Sequence, residues 1–173
     1  MGALVARPLT PAAYAPYGHV LMAAPAGEAG RPVNQGTGRR FDWLVPLQNL
    51  RGEGAPLNLC VFRCQPRELP LRVRLLERHR RSTQVFIPMN ARRYLVLVAG
   101  GAERPELDTL ALFVAQGPQG ISYHPGTWHH PLLALDAETD FACLVHEDGG
   151  PDDCEEASLG GDDAALPLVT LAR

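Results

Sequence analysis

No lysine occurs in the chain; all 16 basic residues are arginine. That absence removes the lysine Schiff base and the phosphate-loop lysine from the available chemistry. It leaves arginine as the strong cation for a carboxylate or phosphate, and its planar fork matches a carboxylate well. No apolar run approaches the roughly 18 residues of a membrane helix, and Met1 to Leu9 holds no long apolar stretch of the signal-peptide kind. The four cysteines, Cys60, Cys64, Cys143 and Cys154, include no Cys-x-x-Cys pair. Cys60 and Cys64 share a face of a strand-like run but lie roughly 13 Å apart along it, too far to bridge. A reduced, cytoplasmic protein is expected. A net charge of −3 is too small for a nucleic-acid footprint, so neither nucleic acid nor membrane is expected as a partner.

What is present is a globular composition: 46% apolar and 20% charged residues over 173 positions, enough for one ordinary domain. Proline and glycine, 16 and 17 residues, are scattered as punctuation, which suits many short strands. Strand-like runs cover Phe41 to Val45, Leu57 to Cys64, Leu71 to Leu76, Thr83 to Pro88, Tyr94 to Ala99, Leu110 to Ala115, Leu132 to Leu135 and Phe141 to His146. Their regular recurrence predicts an all-β barrel or sandwich. Thr10 and Pro11 predict a short helix with Thr10 as N-cap, stopped early by Pro16. Residues 23–38 read as a long Gly-rich loop, of the kind that is usually functional or mobile. The domain is expected to span 1–173, with 148–173 as an acidic, solvated C-terminal extension with scope for flexibility.

Two stretches carry chemistry. SYHPGTWHHPL, Ser122 to Leu132, places His124, His129 and His130 around a Pro-Gly turn. If Thr127 to His130 is extended, His129 and His130 face opposite sides. One is then a site candidate and the other structural or interfacial; His130 is assigned to the second role. The place of His124 stays open, because Pro125-Gly126 favours a type II turn that fits tight hairpins poorly.

LERHRRSTQVFIPM, Leu76 to Met89, places Glu77 and His79 two apart on one strand face, with Gln84 following a turn near Arg81-Ser82. Carboxylate, imidazole and amide could converge at one strand end. Arg78, Arg80 and Arg81 read as a solvated charge cluster.

Glu77-x-His79-x4-Gln84 followed by Pro125-Gly126-x-x-His129 resembles the cupin pattern, in which three histidines and a glutamate bind a divalent metal. Here Glu77 stands at the first histidine position and Gln84 at that of the glutamate. A neutral amide is a weak ligand, but two imidazoles and one carboxylate suit nickel or zinc. ERH-x4-Q-x-FIPM, RPELDTLALFV, QGISYHPGTWHHPL, VNQGTGRRF and FRCQPRELPL together resemble the ureidoglycolate lyase family over residues 4–156. The resemblance implies an all-β, single-domain cupin-like barrel (a double-stranded β-helix) with short peripheral helices. It also implies a homodimer, cleavage of (S)-ureidoglycolate to glyoxylate and urea in allantoin catabolism, and a divalent metal, nickel, with no organic cofactor. An amidohydrolase releasing ammonia, a non-catalytic ligand-binding cupin and a metal-dependent oxygenase or isomerase are the alternatives.

Cleaving ureidoglycolate is a retro-addition. A base takes the hydroxyl proton as the C–N bond breaks, and an acid protonates the leaving urea nitrogen; imidazoles near neutral pKa suit both transfers. His79 and His129 are assigned the central acid/base or metal roles, and Glu77 orients His79 or acts as a third ligand. Gln84 is assigned to the urea or the carboxylate, and Arg40, Arg63 or Arg72 to the carboxylate clamp. Asn34 and Gln35 would close over the substrate; Tyr123, His124 and Trp128 would shape the pocket.

Overall fold

The computed structural model describes residues 3–23, 29–51, 54–161 and 163–171. Seventeen strands lie among them: β1 (Leu4–Val5), β2 (Arg7–Pro8), β3 (Val20–Leu21), β4 (Arg31–Val33), β5 (Gly38–Arg40), β6 (Leu57–Cys64), β7 (Leu71–Arg72), β8 (Leu75–Arg78), β9 (Gln84–Pro88), β10 (Arg93–Ala99), β11 (Ala111–Gln116), β12 (Gly120–Tyr123), β13 (Trp128–His129), β14 (Leu133–Ala134), β15 (Thr139–His146), β16 (Glu155–Ser158) and β17 (Leu168–Thr170). Among the described residues there is one α-helix, α1 (Pro11–Tyr14), which begins as expected, with the Thr10 hydroxyl accepting from the Ala13 amide.

Two sheets carry the architecture. One runs β16-β8-β13-β10-β11-β2, with β14 also on β10; the other runs β3-β12-β9-β15-β6. They face each other as the two walls of a cupin-like barrel that stays open, since no strand pair joins them among the described residues. β10 explains the layering. Its alternate residues leave opposite faces: Tyr94, Val96 and Val98 meet Phe86, Ile121 and Phe141 of the other sheet. Leu95, Leu97 and Ala99 pack outward with Val73, Leu76, Trp128 and Val169. The outer layer is covered by a small sheet, β1-β17-β7. With both faces covered, β10 reads as a continuous apolar run rather than an alternating one. Each fully buried aromatic or branched side chain contributes roughly 1.5–3 kcal/mol.

The structure departs from the sequence reading at four places. Phe41 to Val45 is not a strand; Trp43 has φ 60 and is almost wholly exposed, and a left-handed residue breaks an extended run. Leu71 to Leu76 is two strands, β7 and β8, sent to different sheets. Within residues 23–38, the described part from Arg31 onward forms the β4–β5 hairpin; residues 24–28 lie outside the described residues. The acidic C-terminal stretch supplies β16, paired with β8, and β17, paired with β1 and β7. Leu166 and Val169 are buried there, so apolar positions among the acids anchor a segment that composition alone reads as solvated.

Candidate functional site

β8 and β13 are neighbours, and their register puts Glu77 directly opposite His129. Both face the space between the two large sheets. Oε1 of Glu77 stands 3.4 Å from Nε2 of His129. His79, one residue past the end of β8, places its ring 5.8 Å from that of His129 with an interplanar angle of 16°. The potential ligand atoms of Glu77, His79 and His129 all lie within 4.8 Å of one another.

The backbone fixes both imidazoles. Nδ1 of His129 is 2.9 Å from the Thr127 carbonyl, and Nδ1 of His79 is 2.8 Å from the Asp153 carbonyl. A carbonyl only accepts, so each Nδ1 carries the hydrogen and donates it. Each Nε2 is then left with a lone pair for a proton or a metal. Nε2 of His129 is buried and has no hydrogen-bond partner, although a carboxylate oxygen lies beside it. Two acceptors held this close call for a positive charge between them, a proton or a cation. Two imidazoles and one carboxylate form a donor set that fits a divalent ion of borderline softness.

Burial, and then the neighbouring His129, hold the His79 imidazole below its ordinary value, so it is an uncharged base at neutral pH. Burial pushes the Glu77 carboxyl up, but His129 at its side, with His79 and His130 beyond, brings it below the ordinary carboxylate range. Tyr123 covers the site from the opposite sheet, its ring stacked on His129 at 3.8 Å between centroids and 9° between planes. A small cavity of about 70 Å³ reaches Glu77 and His129 past Phe62, Cys64, Phe86 and Leu132. A larger one, about 500 Å³, lies by Trp128 and Glu155; none of the three clustered residues lines it. Gln84 pairs with Tyr123 and Val145 across β9. Its Oε1 is buried without a partner.

The C-terminal stretch closes the site from behind, which the sequence reading missed. Asp153 holds His79 through its carbonyl, and its carboxylate accepts from the Asp148 and Gly149 amides and pairs with Arg51. The Arg51 side chain is 8% exposed. Cys154 places its thiol 3.9 Å from Oε2 of Glu77; burial first, then Glu77, push that thiol up to about 12. The Asp-Gly-Gly-Pro-Asp-Asp run marked a turn here, but nothing local indicates which histidine the turn supports.

Other sequence candidates lie apart from this cluster. His124 bonds the Ala15 carbonyl and packs against His19. Gly126 has φ 84 and the Thr127 amide bonds the His124 carbonyl, so Pro125-Gly126 forms a type II turn. Trp128, next to His129, faces the outer core under the Arg78 guanidinium, 4.2 Å from its ring. Arg78 is therefore no solvated residue: it is 2% exposed and paired with Glu155; Arg80 and Arg81 are exposed. Arg40 pairs with Asp42 at 2.5 Å, Arg63 with Asp140 at 2.8 Å, and Arg72 reaches the Leu166 carbonyl. None of these three lines the cavity at Glu77 and His129. Asn34 and Gln35 sit exposed at the turn of the β4–β5 hairpin with φ 51 and 56. His130 bonds the adjacent Pro131 carbonyl.

The ureidoglycolate lyase family profile matches residues 1–163. The chain is 44% identical to a ureidoglycolate lyase of Burkholderia cepacia over 154 residues, covering 87% of this chain and 83% of that one. It is 34% identical to the Pseudomonas aeruginosa (strain LESB58) ureidoglycolate lyase over 166 residues, covering 96% of both. A 3,4-ketoisomerase structure from Helicobacter canadensis superposes with a TM-score of 0.44 and 12% identity, over 80% of this chain and 89% of that one. The chain belongs to the ureidoglycolate lyase family.

Proposed function

We propose that this chain cleaves (S)-ureidoglycolate to glyoxylate and urea in allantoin and purine catabolism. The observation that carries the reading is the Glu77–His79–His129 cluster, whose ligand atoms lie within 4.8 Å of one another and whose two imidazoles are each held through Nδ1 by a backbone carbonyl. The reaction moves one proton from a hydroxyl to a nitrogen while a C–N bond breaks. It needs no nucleophile and no redox step. An uncharged Nε2 takes the hydroxyl proton, and the imidazolium so formed, stabilised by the Glu77 carboxylate, returns it to the urea nitrogen. Glu77 therefore gains in value as positive charge develops beside it. Gln84, whose buried Oε1 has no partner, would accept from a urea N–H.

Glu77, His79 and His129 would also hold a divalent metal, for which nickel is the candidate. When bound, it would supply Lewis-acid stabilisation of the alkoxide. The proposed setting is a cytoplasmic homodimer. Support for the dimer comes from the edge strand β6, which exposes Leu57, Leu59 and Val61 beside Ile87 of β9. An apolar outer face on an open edge is what a second subunit would cover.

Product analysis tests the reading. Metal-stripped and nickel-loaded protein are incubated with ureidoglycolate, following glyoxylate, urea and ammonia against the spontaneous rate. Equimolar glyoxylate and urea are expected. Ammonia without urea would indicate an amidohydrolase, and no rate above background would leave a ligand-binding protein.

A further inference from the structure

Cys60 and Cys143 are too distant in sequence to attract notice, yet they occupy directly opposed positions on β6 and β15. Opposed residues of an antiparallel pair leave the same face, here the inner one. Cys143 is fully buried, and Cys60 packs half-buried against the same core cluster. Their side chains therefore meet inside the same cluster. Opposed Cα atoms in such a pair stand about 4.5–5.5 Å apart, within the roughly 4.4–6.8 Å that a disulfide spans. Neither thiol is used by the proton transfers proposed above.

We propose that Cys60 and Cys143 form a reversible intramolecular disulfide, a redox-modification site between the edge strand and the body of the five-stranded sheet. The oxidant is a peroxide. The Cys60 thiolate attacks one peroxide oxygen; the S–O bond forms, the O–O bond breaks, and hydroxide leaves, so Cys60 becomes a sulfenic acid. The Cys143 sulfur then attacks the Cys60 sulfur. The S–S bond forms, the S–O bond breaks, and the departing hydroxide takes the Cys143 proton as water. A dithiol reverses the change by exchange. Accessibility sets the order. Cys60 is the half-exposed partner, whereas burial holds the Cys143 thiol high and makes it the resolving sulfur. The bond would fasten β6 to β15.

Peptide mapping of peroxide-treated protein without reductant decides the matter, and it does not depend on which reaction the protein catalyses. Cleavage after Arg63 separates Cys60 from Cys64, and cleavage after Glu147 separates Cys143 from Cys154. The expected result is one cross-linked peptide pair carrying Cys60 and Cys143, two surviving thiols of four, and full reversal by dithiothreitol. In a Cys64→Ser/Cys154→Ser double variant, no titratable thiol should survive. The proposal is overturned by a cross-link through Cys64 or Cys154, by sulfinic acid at Cys60 with Cys143 still free, or by four thiols that persist under peroxide.

Discussion

Oε1 of Glu77 faces Nε2 of His129 at 3.4 Å, while Nδ1 of the same ring is already committed to the Thr127 carbonyl. A positive charge between the two atoms, a proton or a cation, satisfies both. His129→Ala and Glu77→Gln should each lower the ureidoglycolate-cleaving rate by about 10²-fold or more and weaken nickel binding. Circular dichroism should remain that of the native β protein. Wild-type turnover in either variant would remove the cluster from the mechanism.

A buried arginine stands behind His79. Arg51 pairs with Asp153, whose carbonyl sets the His79 tautomer. Removing one partner of a buried pair costs about 3–5 kcal/mol, so Arg51→Ala should destabilise the protein and reduce kcat together. Arg63→Ala, which opens an exposed pair with Asp140, should leave both near wild type. Urea unfolding and steady-state kinetics on the two variants separate a functional arginine from a surface one; equal effects would contradict this placement.

Stability should fall in mild acid. His19, His79 and His130 all titrate below their ordinary value, with burial the largest cause in each. Unfolded histidine titrates near 6.5. Below that pH the unfolded chain binds more protons than the native one, so the contribution is complete above about pH 6.5 and is lost as pH falls through the lower native values. The urea midpoint at pH 5.5 should lie below that at pH 7.5. Equal midpoints would show that these histidines protonate as readily in the native state.

The outer face of β6 provides a test of assembly. Leu59→Arg, at a position 67% exposed, should convert a dimer into a monomer of unchanged fold, read by light scattering after gel filtration. A wild-type protein that is already monomeric at micromolar concentration would refute the dimer.

Much of this protein was legible in its residues. Leu57–Cys64 is a strand with the expected bounds, and Thr10 caps the expected helix. Glu77, His79 and His129 stand out together in the sequence and lie together in the fold. The arginine candidates were not so readable. Arg40 meets Asp42, two residues along the chain, and Arg63 meets Asp140 of the neighbouring strand, a partner chosen by register rather than by composition.

The sequence by itself determined the all-β class, because turn residues and alternation act over a few positions and need no distant partner. It also determined which residue types could serve an imidazole and carboxylate site. Only the tertiary structure decided that Glu77 opposes His129, that Asp153 from the acidic tail holds His79, and that Cys60 meets Cys143. Those pairings join strands far apart in the chain. They are selected by which faces must be buried against one another, and no local pattern encodes that choice.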